Sequence, residues 1–160
     1  MRLSLLLALT TATSAFAQRS MGYWFAAPGA LTAGGRTPFT LHLGGGGEFA
    51  IGKGISGGIE GGAIGLVHHY KDTVQGTASA NAYYHFFHSS DARLDPFVTG
   101  GYSIFFRRGT QSLGNFGGGL NYWIWKTVAV RVEVRDHVMG TPRAHYWGIR
   151  LGMSFTELWP

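Results

Sequence analysis

From Trp147 onward the chain alternates strictly between apolar and polar or small residues. Trp147, Ile149, Leu151, Met153 and Phe155 fall on one face, and Gly148, Arg150, Gly152 and Ser154 fall on the other. Successive side chains of a strand point to opposite faces, so this pattern predicts a strand with one apolar side. Val128, Val130, Val132 and Val134 repeat it against Ala129, Arg131, Glu133 and Arg135. The same period runs through residues 115–125, 96–106, 73–87, 55–63 and 39–51, with a weaker candidate at 22–27. That makes eight strands. Tight connections are expected at 52–54 and 126–127, a moderate one at 88–94, and longer polar ones at 28–36, 68–72, 107–113 and 139–143. An even strand count places the tight turns at one rim together with both chain ends.

Composition decides what such strands face. The 160 residues include 26 glycines and 11 phenylalanines, yet only 13% are charged. Soluble domains carry roughly 25% charged residues, so the apolar faces have too little polar surface to offset them. No run after residue 17 is long enough for a transmembrane helix, which needs roughly 20 apolar residues. A membrane can then be crossed only by a closed barrel. At the N-terminus, Arg2, the leucine-rich run to Leu9 and Ala15-Phe16-Ala17 read as a secretory signal. Residues 1–17 are expected to be removed, leaving Gln18 first and a single domain over 18–160. With no cysteine, neither disulfides nor a lipoprotein anchor enter the picture. The formal charge of +5 is scattered rather than clustered, which argues against nucleic acid.

Six charges share the faces opposite the apolar ones: Glu48, Glu60, Arg131, Glu133, Arg135 and Arg150. Inside a narrow barrel, guanidinium groups need carboxylate partners. These six are expected to form an ion-pair plug in the lumen. A conducting pore is the alternative.

Other chemistry is weaker. Gly47-Glu48-Phe49-Ala50-Ile51-Gly52-Lys53 imitates a phosphate-binding loop, but Gly54 stands where that motif needs Ser or Thr. Residues 44–47 read as a strand with bulges or close inter-strand approach. No histidine pair has zinc-ligand spacing, and His68, His69, His85 and His88 are expected in loops or at a rim. A lipid hydrolase using His85 or His88 with Ser89 or Ser90 is a further alternative. So is a periplasmic lipocalin-like binder, which would place apolar residues inside and the six charges in water.

Asp95-Pro96-Phe97-Val98-Thr99-Gly100-Gly101-Tyr102 and Asn115-Phe116-Gly117-Gly118-Gly119-Leu120-Asn121-Tyr122-Trp123 carry a family resemblance. Val130-Arg131-Val132-Glu133-Val134-Arg135-Asp136 and the segment 146–155 extend it. The chain resembles small bacterial outer-membrane β-barrel proteins of the OmpA-like transmembrane-domain type. It departs from their pattern in continuing through Thr156 to Pro160 beyond the aromatic Phe155. The resemblance implies an all-β, eight-stranded, antiparallel up-and-down transmembrane barrel in the outer membrane. It would be monomeric and non-catalytic, without metal or cofactor. Its partners would be outer-membrane lipids, lipopolysaccharide and the envelope assembly machinery. The expected role is an envelope scaffold displaying external loops for adhesion or envelope stability.

Overall fold

The structure is a computed structural model that describes residues 20–87, 92–107, 109–140 and 143–156. The expected signal segment and Gln18 lie outside the described residues. Eight strands follow one another: β1 (Met21–Ala33), β2 (Phe39–Gly52), β3 (Ile55–Leu66), β4 (Gln75–His85), β5 (Leu94–Phe106), β6 (Thr110–Trp125), β7 (Val128–Met139) and β8 (Ala144–Phe155). Each pairs antiparallel with the next, and β1 pairs with β8, so the sheet closes into a barrel. Closure leaves no edge strand with unpaired backbone groups. No described helix is long and apolar enough to cross a membrane.

Three boundaries differ from the sequence reading. The connection expected at 28–36 is largely strand, because β1 runs through Pro28 to Ala33. Proline has no N–H to donate, and Pro28 pairs with Leu41 on β2 but has no register partner on β8. Strand β6 likewise starts at Thr110 rather than 115, leaving only a short turn after Phe106. Strand β3 continues to Leu66, where a 3-10 turn (Val67–His69) and one helical turn (Tyr70–Thr73) lead to β4. At the rim remote from the chain ends, the connections at 34–38 and 107–109 are therefore shorter than expected, while the one at 67–74 is longer. At the terminal rim, the tight turn at 52–54 works because Gly52, Lys53 and Gly54 all take positive φ, which glycine adopts without strain.

The alternation sorts the wall from the lumen. Leu43, Ile59, Val98, Phe116, Val132 and Leu151 are exposed on the outside. Phe49, Tyr84, Phe86, Tyr122, Trp125 and Phe155 gather toward the terminal rim, while Phe39, Phe106 and Trp147 lie toward the far rim. Apolar walls bounded by aromatic residues are what a lipid-facing barrel requires. The glycines serve both surfaces. A Cβ at Gly152 would collide with the Trp24 carbonyl, so β1 and β8 approach only because that position is bare. Residues 44–47 stay in continuous register with β1 and β3, without a bulge.

Candidate functional site

Eight strands leave an interior wide enough only for packed side chains or one small ligand. Here side chains fill it. Strand β7 supplies Arg131, Glu133 and Arg135 at alternate positions, and β8 brings Arg150 directly opposite Glu133. Glu48 comes from β2 and Glu60 from β3. All six are at most 5% exposed.

The structure brings them together around two carboxylates. Glu133 accepts from Arg131 Nε and Nη2 at 3.3 and 3.2 Å, and from Arg135 Nε. Glu60 accepts a two-pronged grip from Arg150, whose Nη1 and Nη2 lie 2.7 and 3.0 Å from its oxygens. Such fork-to-fork contacts fix geometry as well as charge. Arg131 Nη1 reaches Glu48 at 3.5 Å, and Arg150 Nη1 lies 3.7 Å from Glu133. One connected network spans β2, β3, β7 and β8.

Sequence reasoning missed much of what surrounds it. Tyr23 donates its hydroxyl to Glu60 at 3.1 Å and shares a 2.8 Å hydrogen bond with Tyr83. The Arg131 guanidinium lies 4.4 Å from the ring centre of Tyr23 and 4.2 Å from that of Phe97. Arg150 lies 4.1 Å from the ring centre of Phe25. Stacking on aromatic faces suits arginine, whose weakly hydrated, planar head is desolvated here. Glycine makes the room. Tyr23 pairs with Gly46 and Phe25 with Gly44, and Phe97 pairs with Gly119. A Cβ at Gly44 would lie 2.8 Å from the Phe25 ring, and one at Gly119 would lie 2.8 Å from the Phe97 ring. A glycine opposite each large ring is the sequence signal that could have located them, and the run 44–47 carries it.

His85 was expected in a loop or at a rim. It sits instead inside the lumen, 2% exposed, clamped between two acids. Its Nε2 lies 2.6 Å from Glu48, and its Nδ1 lies 2.8 and 2.9 Å from the two oxygens of Asp95. Ionised carboxylates only accept, so a proton on each ring nitrogen satisfies both contacts. Ser56 donates to Glu48 at 3.1 Å and Asn121 to Asp95 at 3.0 Å. With His85 as a cation, four buried positive groups (Arg131, Arg135, Arg150 and His85) meet four carboxylates (Glu48, Glu60, Asp95 and Glu133). The interior balances.

This arrangement has no place for a hydrolytic His85, since neither ring nitrogen is available to a serine. His88, Ser89 and Ser90 lie outside the described residues. No group of three or more His, Cys, Asp or Glu among the described residues could hold a metal ion. The lipocalin-like alternative fails on orientation, because the charges point inward and the apolar residues outward.

Toward the far rim the filling changes character. Ile64, Phe105 and Leu113 form an apolar cluster with Met139 and Tyr146 packed against it. His42 and His137 lie beneath it, with ring centres 5.9 Å apart.

No protein-family model matches the chain, and no curated protein matches it. Solved structures do. The Neisserial surface protein A (NspA) matches with a TM-score of 0.72 at 11% identity, over 86% of this chain and 97% of that one. The N-terminal β-barrel domain of Pseudomonas aeruginosa OprF matches with a TM-score of 0.63 at 16% identity, over 86% and 98%. The outer membrane protein OprG of Pseudomonas aeruginosa gives 0.61 at 9% identity, over 88% and 96%. The fold is that of the small outer-membrane barrels. At these identities the likeness concerns architecture, and the lumen residues must be argued from their own geometry.

Proposed function

We propose that the chain is an integral outer-membrane barrel whose lumen is closed by balanced charges, serving the envelope as a non-catalytic scaffold. One observation carries this reading: the polarity of the molecule is inverted. Exposed leucine, valine, isoleucine and aromatic residues cover the outside, while paired arginines and glutamates fill the inside. In water that arrangement would expose far more apolar surface than monomeric soluble proteins tolerate. In lipid it is the expected one, with the surrounding lipids, lipopolysaccharide among them, as partners of the wall. Strands of 11 to 16 residues meet or exceed the roughly 9–11 needed to span the hydrocarbon layer, so the longer strands can reach beyond it. Because the far-rim connections at 34–38, 107–109 and 140–143 are short, envelope stability fits better than adhesion through long loops.

Cell fractionation with detergent extraction tests the location. The protein should remain with outer membranes until detergent is added, and its gel mobility should differ between unheated and boiled samples. Recovery as a soluble periplasmic monomer with identical mobilities would refute the proposal.

A further inference from the structure

Between the charged and the apolar filling lies a cavity of about 10 Å³, whose lining includes Thr40, His42, Arg135, His137, Tyr146 and Arg150. A single water needs roughly 10–15 Å³ of such space and at least two polar partners. Two buried atoms of the lining residues have no hydrogen-bond partner in the protein, Arg135 Nη2 and His137 Nε2. Both side chains are almost wholly buried, at 1% and 2% exposure. Leaving such groups unmet is costly, so something should answer them.

Their chemistry selects what. His137 Nδ1 lies 3.4 Å from the Tyr146 carbonyl oxygen. A carbonyl only accepts, so a proton sits on Nδ1, and in the neutral ring Nε2 then presents a lone pair. Arg135 Nη2 only donates. The occupant must therefore accept at one end and donate at the other. We infer that a single ordered water fills this cavity, accepting from Arg135 Nη2 and donating to His137 Nε2. A halide would satisfy the arginine but oppose the lone pair of His137. It would also add a charge to an interior whose four cationic and four anionic groups already balance. This inference rests on the closed-lumen reading. The neighbouring His42 takes no part in it, since its Nε2 already meets the Thr77 hydroxyl at 3.1 Å.

Crystals of the refolded protein grown in bromide, at a resolution that shows ordered water, provide the test. A single water peak within hydrogen-bond distance of both atoms is expected, with no anomalous bromide signal. A bromide peak or a bare cavity would overturn the water site while leaving the closed lumen standing. A continuous file of waters from rim to rim would overturn both. Nitrogen-15 spectra of the His137 ring give an independent reading in detergent solution. The neutral ring protonated at Nδ1 is expected, and an imidazolium would contradict the assignment.

Discussion

The two halves of the lumen are filled by different physics. Toward the terminal rim, Glu48, His85, Asp95, Asn121 and Ser56 form a polar cluster that joins the arginine network. Toward the far rim, Phe105, Leu113 and Ile64 pack as an ordinary apolar core. The charged half stands only because every ion has a partner, and removing one strands another where bulk water does not solvate it. The apolar half degrades gradually, by the volume lost. A barrel can be stoppered either way. This one relies on paired ions in the terminal half, where Met21, Trp123 and Ala129 add a small apolar cluster at the rim, and on apolar packing in the far half.

Substitutions separate the two. Glu133→Ala should have the largest effect, about 3–5 kcal/mol, because Arg131 and Arg135 both lose their principal acceptor. Equilibrium unfolding in urea and lipid vesicles measures it, and a harmless Glu133→Ala would mean that water already solvates these arginines. Leu113→Ala, in the far half, should cost about 2–5 kcal/mol through a cavity against Phe105 and Ile64. Unlike the charged variant, its loss should be insensitive to what is done to the arginines. On the wall, Val132→Arg should impair membrane insertion by about 2–4 kcal/mol, as lipid-facing arginine does near mid-bilayer. Asn121→Arg faces the lumen instead, and comparing yields of inserted protein tests the assignment of faces. The smallest effect is a difference. Glu60→Leu combined with Arg150→Met should destabilise less than Glu60→Leu alone, since no ion is left behind. A double variant worse than the single would show that the pair contributes through packing.

Much of this was legible in the alternation of residues. The faces of β7 and β8 were readable because Val and Arg or Glu alternate without a break, and that placed the six charges on one surface. Partnership was not readable. Which arginine meets which glutamate depends on cross-strand register, and Arg150 grips Glu60 from a strand ninety positions away in the chain. The second half of β1 was hidden because Pro28 and Gly29 resemble a turn, and Tyr23 and Phe25, inside the weaker candidate at 22–27, gave no sign of a lumen role. His85 was misplaced for a related reason. It closes a strand, and only the closed barrel brings Glu48 against it. The β5–β6 loop was overestimated because polar residues such as Thr110 and Gln111 continue a strand as readily as they form a loop once the neighbouring strand supplies hydrogen bonds.

Ion conductance of the purified protein in planar lipid bilayers asks most directly whether the balanced charges close the lumen. No steady current is expected from the wild-type barrel at moderate voltage, and Glu133→Ala is expected to admit current before Leu113→Ala does. A stable open channel in the wild type would mean that these arginines and glutamates line water rather than one another.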